Sequence, residues 1–255
     1  MTALRLAVAL SLSAGSVPAL ELVQTGSYDL NRPASLDYDP TFCGLWIANE
    51  GPDVALKTLA GEELRRITSD LSRVKAIALE GDDLLLGDGY GGMQRVSKDG
   101  VALGAPFSLD GGWADTEGIA VLADGTIVTV EDDPERLSWF SPDGTLLRRI
   151  DTTTLDPPLI EAQGIAVDPR TGHMLIVDDQ EGTNSLYELT PDGELIASVP
   201  LWEYGTDPEG IAIRPGSGQL FIAFDTGARI VSFDYTATLP EGAEPLPPGA
   251  DCMMF

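Results

Sequence analysis

One short phrase recurs five times along the chain and fixes what the chain can fold into: a Gly or Ala followed by alternating apolar residues. It reads Ala34-Ser35-Leu36-Asp37-Tyr38, Ala76-Ile77-Ala78-Leu79, Gly118-Ile119-Ala120-Val121, Gly164-Ile165-Ala166-Val167 and Gly210-Ile211-Ala212-Ile213, with starts 42, 42, 46 and 46 residues apart. A period of about 40 to 50 residues with several short strands per unit is the pattern of propeller blades. The third unit shows the internal order: GIAVLADG, TIVTVEDD, RLSWFSPDG, TLLRRID. Each run is short, rich in Val, Ile, Leu and aromatics, and bounded by turn residues, so each unit is expected to be four antiparallel strands. Turns at Asp124-Gly125, Pro169 to Gly172 and Pro215 to Gly218 close first hairpins, and those at Lys98 to Gly100, Pro142 to Gly144 and Pro191 to Gly193 close the last ones.

The fifth unit stops after three strands, at Arg229 to Tyr235. The segment from Leu20 to Leu30 precedes the first unit and has no partner there, so it is expected to supply the missing fourth strand. That pairing closes the ring and removes exposed sheet edges. The predicted fold is an all-β, five-bladed propeller over residues 20–235, with residues 236–255 as a tail. A six-bladed ring with a degenerate blade built from both termini is the alternative, and a solenoid of stacked hairpins would leave the first strand unexplained.

Residues 1–19 carry one charge, Arg5, then an apolar run from Leu6 and a small-residue stop at Val17-Pro18-Ala19. They read as a secretory signal peptide, which implies a periplasmic or secreted protein. No later stretch is long and apolar enough to span a bilayer. The formal net charge is -26, which makes nucleic acid and anionic membrane surfaces poor partners; the partner expected is a small-molecule substrate or ligand at the channel mouth. A monomer is expected. Cys43 and Cys252 are the two cysteines, and export makes them candidates for a disulfide tethering the tail to the first blade.

Within each antiparallel blade the start of the first strand and the end of the second lie at one edge. Acidic and amide residues collect there. Lys75, Glu117, Gln163 and Glu209 precede first strands, with Pro33 in the first blade; Asn49 and Glu50, Asp88, Glu131 and Asp132, Asp178 and Asp179, and Asp225 follow second strands. Innermost strands line the channel, so the first set should rim its mouth. Carboxylates gathered so closely repel one another unless a cation compensates, and Lys75 alone in the ring points to a divalent metal held by oxygen ligands, calcium or else magnesium. The competing structural reading is that these acids satisfy backbone amides at blade junctions and solvate loops. His173 is the sole histidine and falls on the opposite face, which argues against Ser-His-Asp, Cys-His and histidine-metal chemistry. Catalysis, if present, would use carboxylates.

The stretch Asp115-Thr116-Glu117-Gly118-Ile119-Ala120-Val121, followed by Ala123-Asp124-Gly125 and Val128-Thr129-Val130-Glu131, resembles the phytase-like, or esterase-like, β-propeller family, and Asp207-Pro208-Glu209-Gly210-Ile211-Ala212 is a second copy. The cycle from Gln163 to Asp178 is similar to NHL-type propellers. The resemblance implies a hydrolase of ester or phosphoester bonds with functional acids at matching positions. These are Asp115, Glu117, Glu131, Asp207, Glu209 and Asp225, with Glu117 and Glu131 as catalytic groups, Glu117, Glu131, Glu209 and Asp225 as calcium ligands, and Asp115 and Asp207 as substrate contacts; Lys75 and Gln163 on the same rim are expected to contact substrate as well. Gln163 and Lys75 replace the acid in two blades, which weights the site towards blades three to five. Two further readings stand beside it: a non-catalytic periplasmic binding propeller using Trp46, Trp113, Tyr90 and Trp202, and a sugar-lactonase type hydrolase using Glu117, Asn49 and Asp225.

Overall fold

The structure is a computed structural model, and the description covers residues 20–30, 33–111, 115–180 and 183–237. The proposed signal segment 1–19, Trp113, Cys252 and the tail beyond 237 lie outside it.

Among the described residues the strands form five four-stranded antiparallel sheets. Strand β1 (Glu21–Asp29) comes first, then blade one holds β2 (Ser35–Asp39), β3 (Gly44–Ala48), β4 (Asp53–Thr58) and β5 (Glu63–Thr68). Blade two holds β6 (Ala76–Glu80), β7 (Asp83–Gly87), β8 (Gly92–Ser97) and the two-residue β9 (Phe107–Ser108). Blade three holds β10 (Thr116–Val121), β11 (Ile127–Glu131), β12 (Arg136–Phe140) and β13 (Leu146–Asp151). Blade four holds β14 (Ala162–Val167), β15 (Met174–Asp178), β16 (Ser185–Leu189) and β17 (Leu195–Pro200). Blade five holds β18 (Thr206–Ile213), β19 (Gln219–Thr226) and β20 (Arg229–Thr236), and β1 pairs antiparallel with β20 as its outer strand, from Glu21 opposite Thr236 to Asp29 opposite Arg229. The expected count of five and the closure by the N-terminal strand are both realised.

The apolar residues form five clusters, one in each wedge between neighbouring blades. Trp46 and Leu56 meet Ile77 and Leu86 between blades one and two, and Leu85 meets Ile119 and Phe140 across the next junction. Val128 and Trp139 pack on Ile176 and Leu189, and Leu175 and Leu186 on Ile222 and Phe233. Phe221 and Ala212 pack on Leu36 and Tyr38 between blade five and blade one, with the Tyr38 and Phe221 rings stacked at a 6.0 Å centroid distance. This last cluster closes the ring through side chains as β1 closes it through backbone pairing. Every blade is therefore covered on both faces, and apolar burial at each junction drives assembly.

Close packing around the channel explains the glycines of the recurring phrase. A Cβ on Gly118 would stand 2.5 Å from the Gln163 carbonyl oxygen, and one on Gly164 would stand 2.7 Å from that of Glu209. Innermost strands of adjacent blades approach too closely there for a side chain. The same principle sets the outer turns: Gly193, at φ +80°, tucks under Ile150 and Trp139 of the preceding blade, where a Cβ would lie 2.8 Å from both.

Candidate functional site

Three of the five innermost hairpins carry a register shift at the channel mouth. Pairing slips between Thr116 and Gly118 in β10, between Ala162 and Ile165 in β14, and between Pro208 and Ile211 in β18. The first hairpins of blades one and two keep regular register. The slipped positions hold Glu117, Gln163 and Glu209, and a bulge of this kind bends the strand and redirects a side chain. The acids that the sequence places before the phrase thus sit where the backbone departs from regular pairing.

Glu117 is 3% exposed. Lys75, at the start of blade two, forms a close ion pair with its Oε1 and lies 3.8 Å from Asp115 Oδ1. Burial lifts the Glu117 carboxyl to about 7; Lys75 works against that shift and Asp115 adds to it. Burial opposes the charge on Lys75, but Glu117 and Asp115 outweigh it and raise its pKa, so the ammonium stays charged. Glu209 is raised further, to about 8, by burial and then by the negative charges of Asp179 and Glu117. Asp179 is lifted to about 7 by burial and by Glu161, while a hydrogen bond with the Gln163 side chain pulls the other way. Asp132 is raised by burial, Glu161 and Asp115. These groups sense one another because they converge from blades two to five on one opening.

A cleft of about 260 Å³ opens beside Glu209, lined by Pro33, Ala34, Asn49, Glu50, Glu209 and Asp225. Its position follows from the sequence of blade one. Pro33-Ala34 stands where other blades carry a long polar side chain, so the rim is notched between blades five and one. Arg73 flanks the notch, ion-paired to Glu50 at 2.5 Å, with one guanidinium nitrogen 3.2 Å from the Tyr90 hydroxyl.

The predicted site residues divide. Lys75, Asp115, Glu117, Gln163 and Glu209 gather at the mouth, with Asp225 exposed on the cleft wall. Glu131 does not join them: it is 2% exposed, accepts a hydrogen bond from Ser138 at 2.7 Å, and is ion-paired with Arg136 at 2.9 Å, with Arg149 at 3.8 Å. Asp207, in a left-handed backbone conformation at φ 55°, accepts a hydrogen bond from Thr226 Oγ1. Trp46 is buried and donates to Asp39 at 2.9 Å, whereas Trp202 is 64% exposed. His173 is buried on the opposite face, 2.8 Å from Glu188.

Side-chain alternation accounts for Glu131. Of the paired acids at the ends of β11 and β15, the first members, Glu131 and Asp178, turn into the blade, and Asp178 accepts from the Ile160 and Gln180 amides. The second members, Asp132 and Asp179, face the mouth. Period-two parity in the sequence was the available signal for Asp132 and Asp179; Glu161, outside the repeated phrase, had none.

Of the carboxylates expected to hold calcium, Glu117, Glu131, Glu209 and Asp225, two have basic partners within the protein. Glu131 is committed to arginines and Glu117 to Lys75. Among the described residues no group of three or more His, Cys, Asp or Glu stands close enough to hold a metal. The arrangement holds one charged ammonium, Lys75, among carboxyls that burial raises, Glu117 and Asp179 to about 7 and Glu209 to about 8.

Fold and site together define a five-bladed β-propeller with an acidic channel mouth. The chain is similar to the crystal structure of Myxococcus xanthus glutaminyl cyclase, with a TM-score of 0.64 at 14% identity, covering 86% of this chain and 98% of that one. A streptogramin B lyase structure matches with a TM-score of 0.51 at 17% identity over 84% of this chain and 72% of that one. The WD40 propeller domain of Doa1 matches at 0.52 and 11% identity, over 79% and 63%. At these identities the likeness is one of fold. No family model matches the sequence, and no curated protein matches it.

Proposed function

We propose that the mouth is an acid–base centre for acyl transfer on a small substrate bearing an amine, and that cyclisation of an amino-terminal glutamine is the first reaction to test. Glu209 carries the proposal: its carboxyl, lifted to about 8, holds a proton at neutral pH beside a concave, otherwise anionic cleft. Asp179, near 7, is the complementary partner. Two interacting carboxyls in this range hold one proton and one charge between them around pH 7, which is the pairing that acid–base chemistry needs without a histidine.

In the proposed reaction the substrate's α-ammonium is drawn to the anionic cleft, sheds one proton to solvent, and passes a second to Asp179 as the ring forms. Its nitrogen attacks the γ-carboxamide carbon, forming the ring C–N bond. Glu209 donates its proton to the departing nitrogen, the original C–N bond breaks, and ammonia leaves. Protons and electrons balance with no further reactant. Lys75, fixed by Glu117, would place a positive charge where the carbonyl oxygen gains negative charge. The similarity in fold to the Myxococcus cyclase, spanning nearly all of that chain, supports the choice of reaction.

Hydrolysis of small esters or lactones is the second reading, favoured by the esterase-like phrase from Asp115 to Val121, two of whose acids contact Lys75. Highly phosphorylated substrates are disfavoured, because the mouth is acidic and its lysine is engaged. The test is purified protein incubated with peptides beginning in glutamine and with a panel of neutral esters and lactones, reading ammonia release and acid formation. Turnover that disappears in Glu209→Gln supports the acid–base centre. Absence of any turnover sinks it in favour of a binding propeller, and turnover that needs added calcium restores the metal reading.

A further inference from the structure

The opposite end of the channel holds a second cavity, of about 220 Å³, built from the far ends of the innermost strands. The fourth position of the recurring phrase lines it in every blade: Leu79, Val121, Val167 and Ile213 in four blades, and Asp37 in the first. The ring is aliphatic except for that one carboxylate. Asp37 Oδ1 accepts from the Tyr38 amide at 2.7 Å and Oδ2 from the Leu79 amide at 2.6 Å. These two bonds fix the carboxylate against the channel wall and leave each oxygen with further acceptor capacity.

A carboxylate in an aliphatic ring is costly unless a cation accompanies it. The nearest ammonium, Lys98, is committed to Asp39, 3.1 Å away, and Asp39 also accepts the Trp46 indole N–H. Burial raises the Asp37 carboxyl to about 6; the Leu79 and Tyr38 amides pull against that, the charge of Asp39 adds to it and that of Lys98 opposes it, so it is ionised at neutral pH with Lys98, itself paired to Asp39, as the cation it senses.

We infer that this end of the channel is a binding site for a small monocation with a short aliphatic body, an alkylammonium group, whose nitrogen pairs with Asp37 while its methylenes lie against Leu79, Val121, Val167 and Ile213. The cavity is below the usual range for drug-sized ligands, which limits the occupant to a few carbons. The strongly negative protein draws cations to either mouth, while the aliphatic wall selects against strongly hydrated inorganic ions. This site is separate from the acidic mouth and does not depend on its chemistry.

The experiment titrates the full chain with n-pentylammonium and, in parallel, n-pentanol, by calorimetry and by chemical-shift perturbation. The ammonium should bind more tightly than the alcohol by about ten-fold or more, the margin of a charge-assisted contact. Asp37→Asn should erase that margin, and Val167→Phe, which fills the ring from another blade, should weaken both ligands. Glu209→Gln, at the other mouth, should leave the margin intact. Circular dichroism and the melting temperature establish that each variant is folded. Equal affinity for the two ligands overturns the inference. So does a margin lost in Glu209→Gln but kept in Asp37→Asn, which would place the cation at the acidic mouth instead.

Discussion

Replacing Glu209 by glutamine removes an ionisation and keeps the shape, which makes it a direct reading of how strongly the mouth resists charge. Glu209 is raised from its ordinary 4.5 to about 8, burial being the largest cause and Asp179 the next. The folded state therefore keeps this proton to higher pH than the unfolded chain does. Below pH 4.5 the group is protonated in both states and costs nothing. As pH climbs from there through about 8, the unfolded chain ionises freely and the folded chain does so under penalty, so stability falls across that window. At about 1.4 kcal/mol for each pH unit of displacement the full penalty is at most about 5 kcal/mol, and solvent reaching the open cleft reduces it to about 2 kcal/mol. Glutamine does not ionise. Glu209→Gln should consequently raise the melting temperature at pH 9 by about 5 °C, using the usual two to four degrees per kcal/mol for a chain of this size, and leave it nearly unchanged at pH 4.5. The assay is differential scanning calorimetry at five or six pH values on both proteins. A difference between variant and wild type that is flat with pH, or a variant less stable at pH 9, would refute the placement of Glu209 in a desolvated acidic group.

Lys75→Met leaves Glu117 buried without its ammonium. At pH 6 the carboxyl, freed to rise above 7, takes a proton and the loss should be about 1 kcal/mol; at pH 9 it must ionise unpaired and the loss should reach about 3 kcal/mol. The double variant Lys75→Met/Glu117→Gln should recover most of the pH 9 loss in urea unfolding, and a recovery of nothing would show that the pair does not act as a unit. Gly164→Ala should destabilise by about 1–3 kcal/mol, since its Cβ would meet the Glu209 oxygen, the Ile211 nitrogen and the Gly210 Cα, all backbone; the gain from stiffening the unfolded chain, about 0.4–1 kcal/mol, is smaller. A higher melting temperature for Gly164→Ala would contradict the close approach of blades four and five.

The blade pattern was legible because it is repeated: five copies of one phrase average out local ambiguity, and the unpaired segment from Leu20 to Leu30 had one place to go. The site was less legible because a repeat conveys position around the ring and not which way a side chain turns. Glu131 and Asp132 occupy adjacent places at the end of one strand, yet one is locked between arginines inside the blade and the other faces the channel. The arginines that claim Glu131 stand in β12 and β13, so the deciding contacts are made across strands and are invisible to a reading along one. Glu117, Gln163 and Glu209 are read from the sequence as preceding their innermost strands, but the bulges at these positions appear only when the pairing registers are known. The expectation of calcium rested on the premise that clustered carboxylates must be charged. Burial offers a second resolution: it moves these carboxyls towards holding protons, Glu117 and Asp179 to about 7 and Glu209 to about 8, which would lower their mutual repulsion without a cation. The composition that suggested a cation site thus supports a proton site equally well, and only the distances between side chains distinguish them.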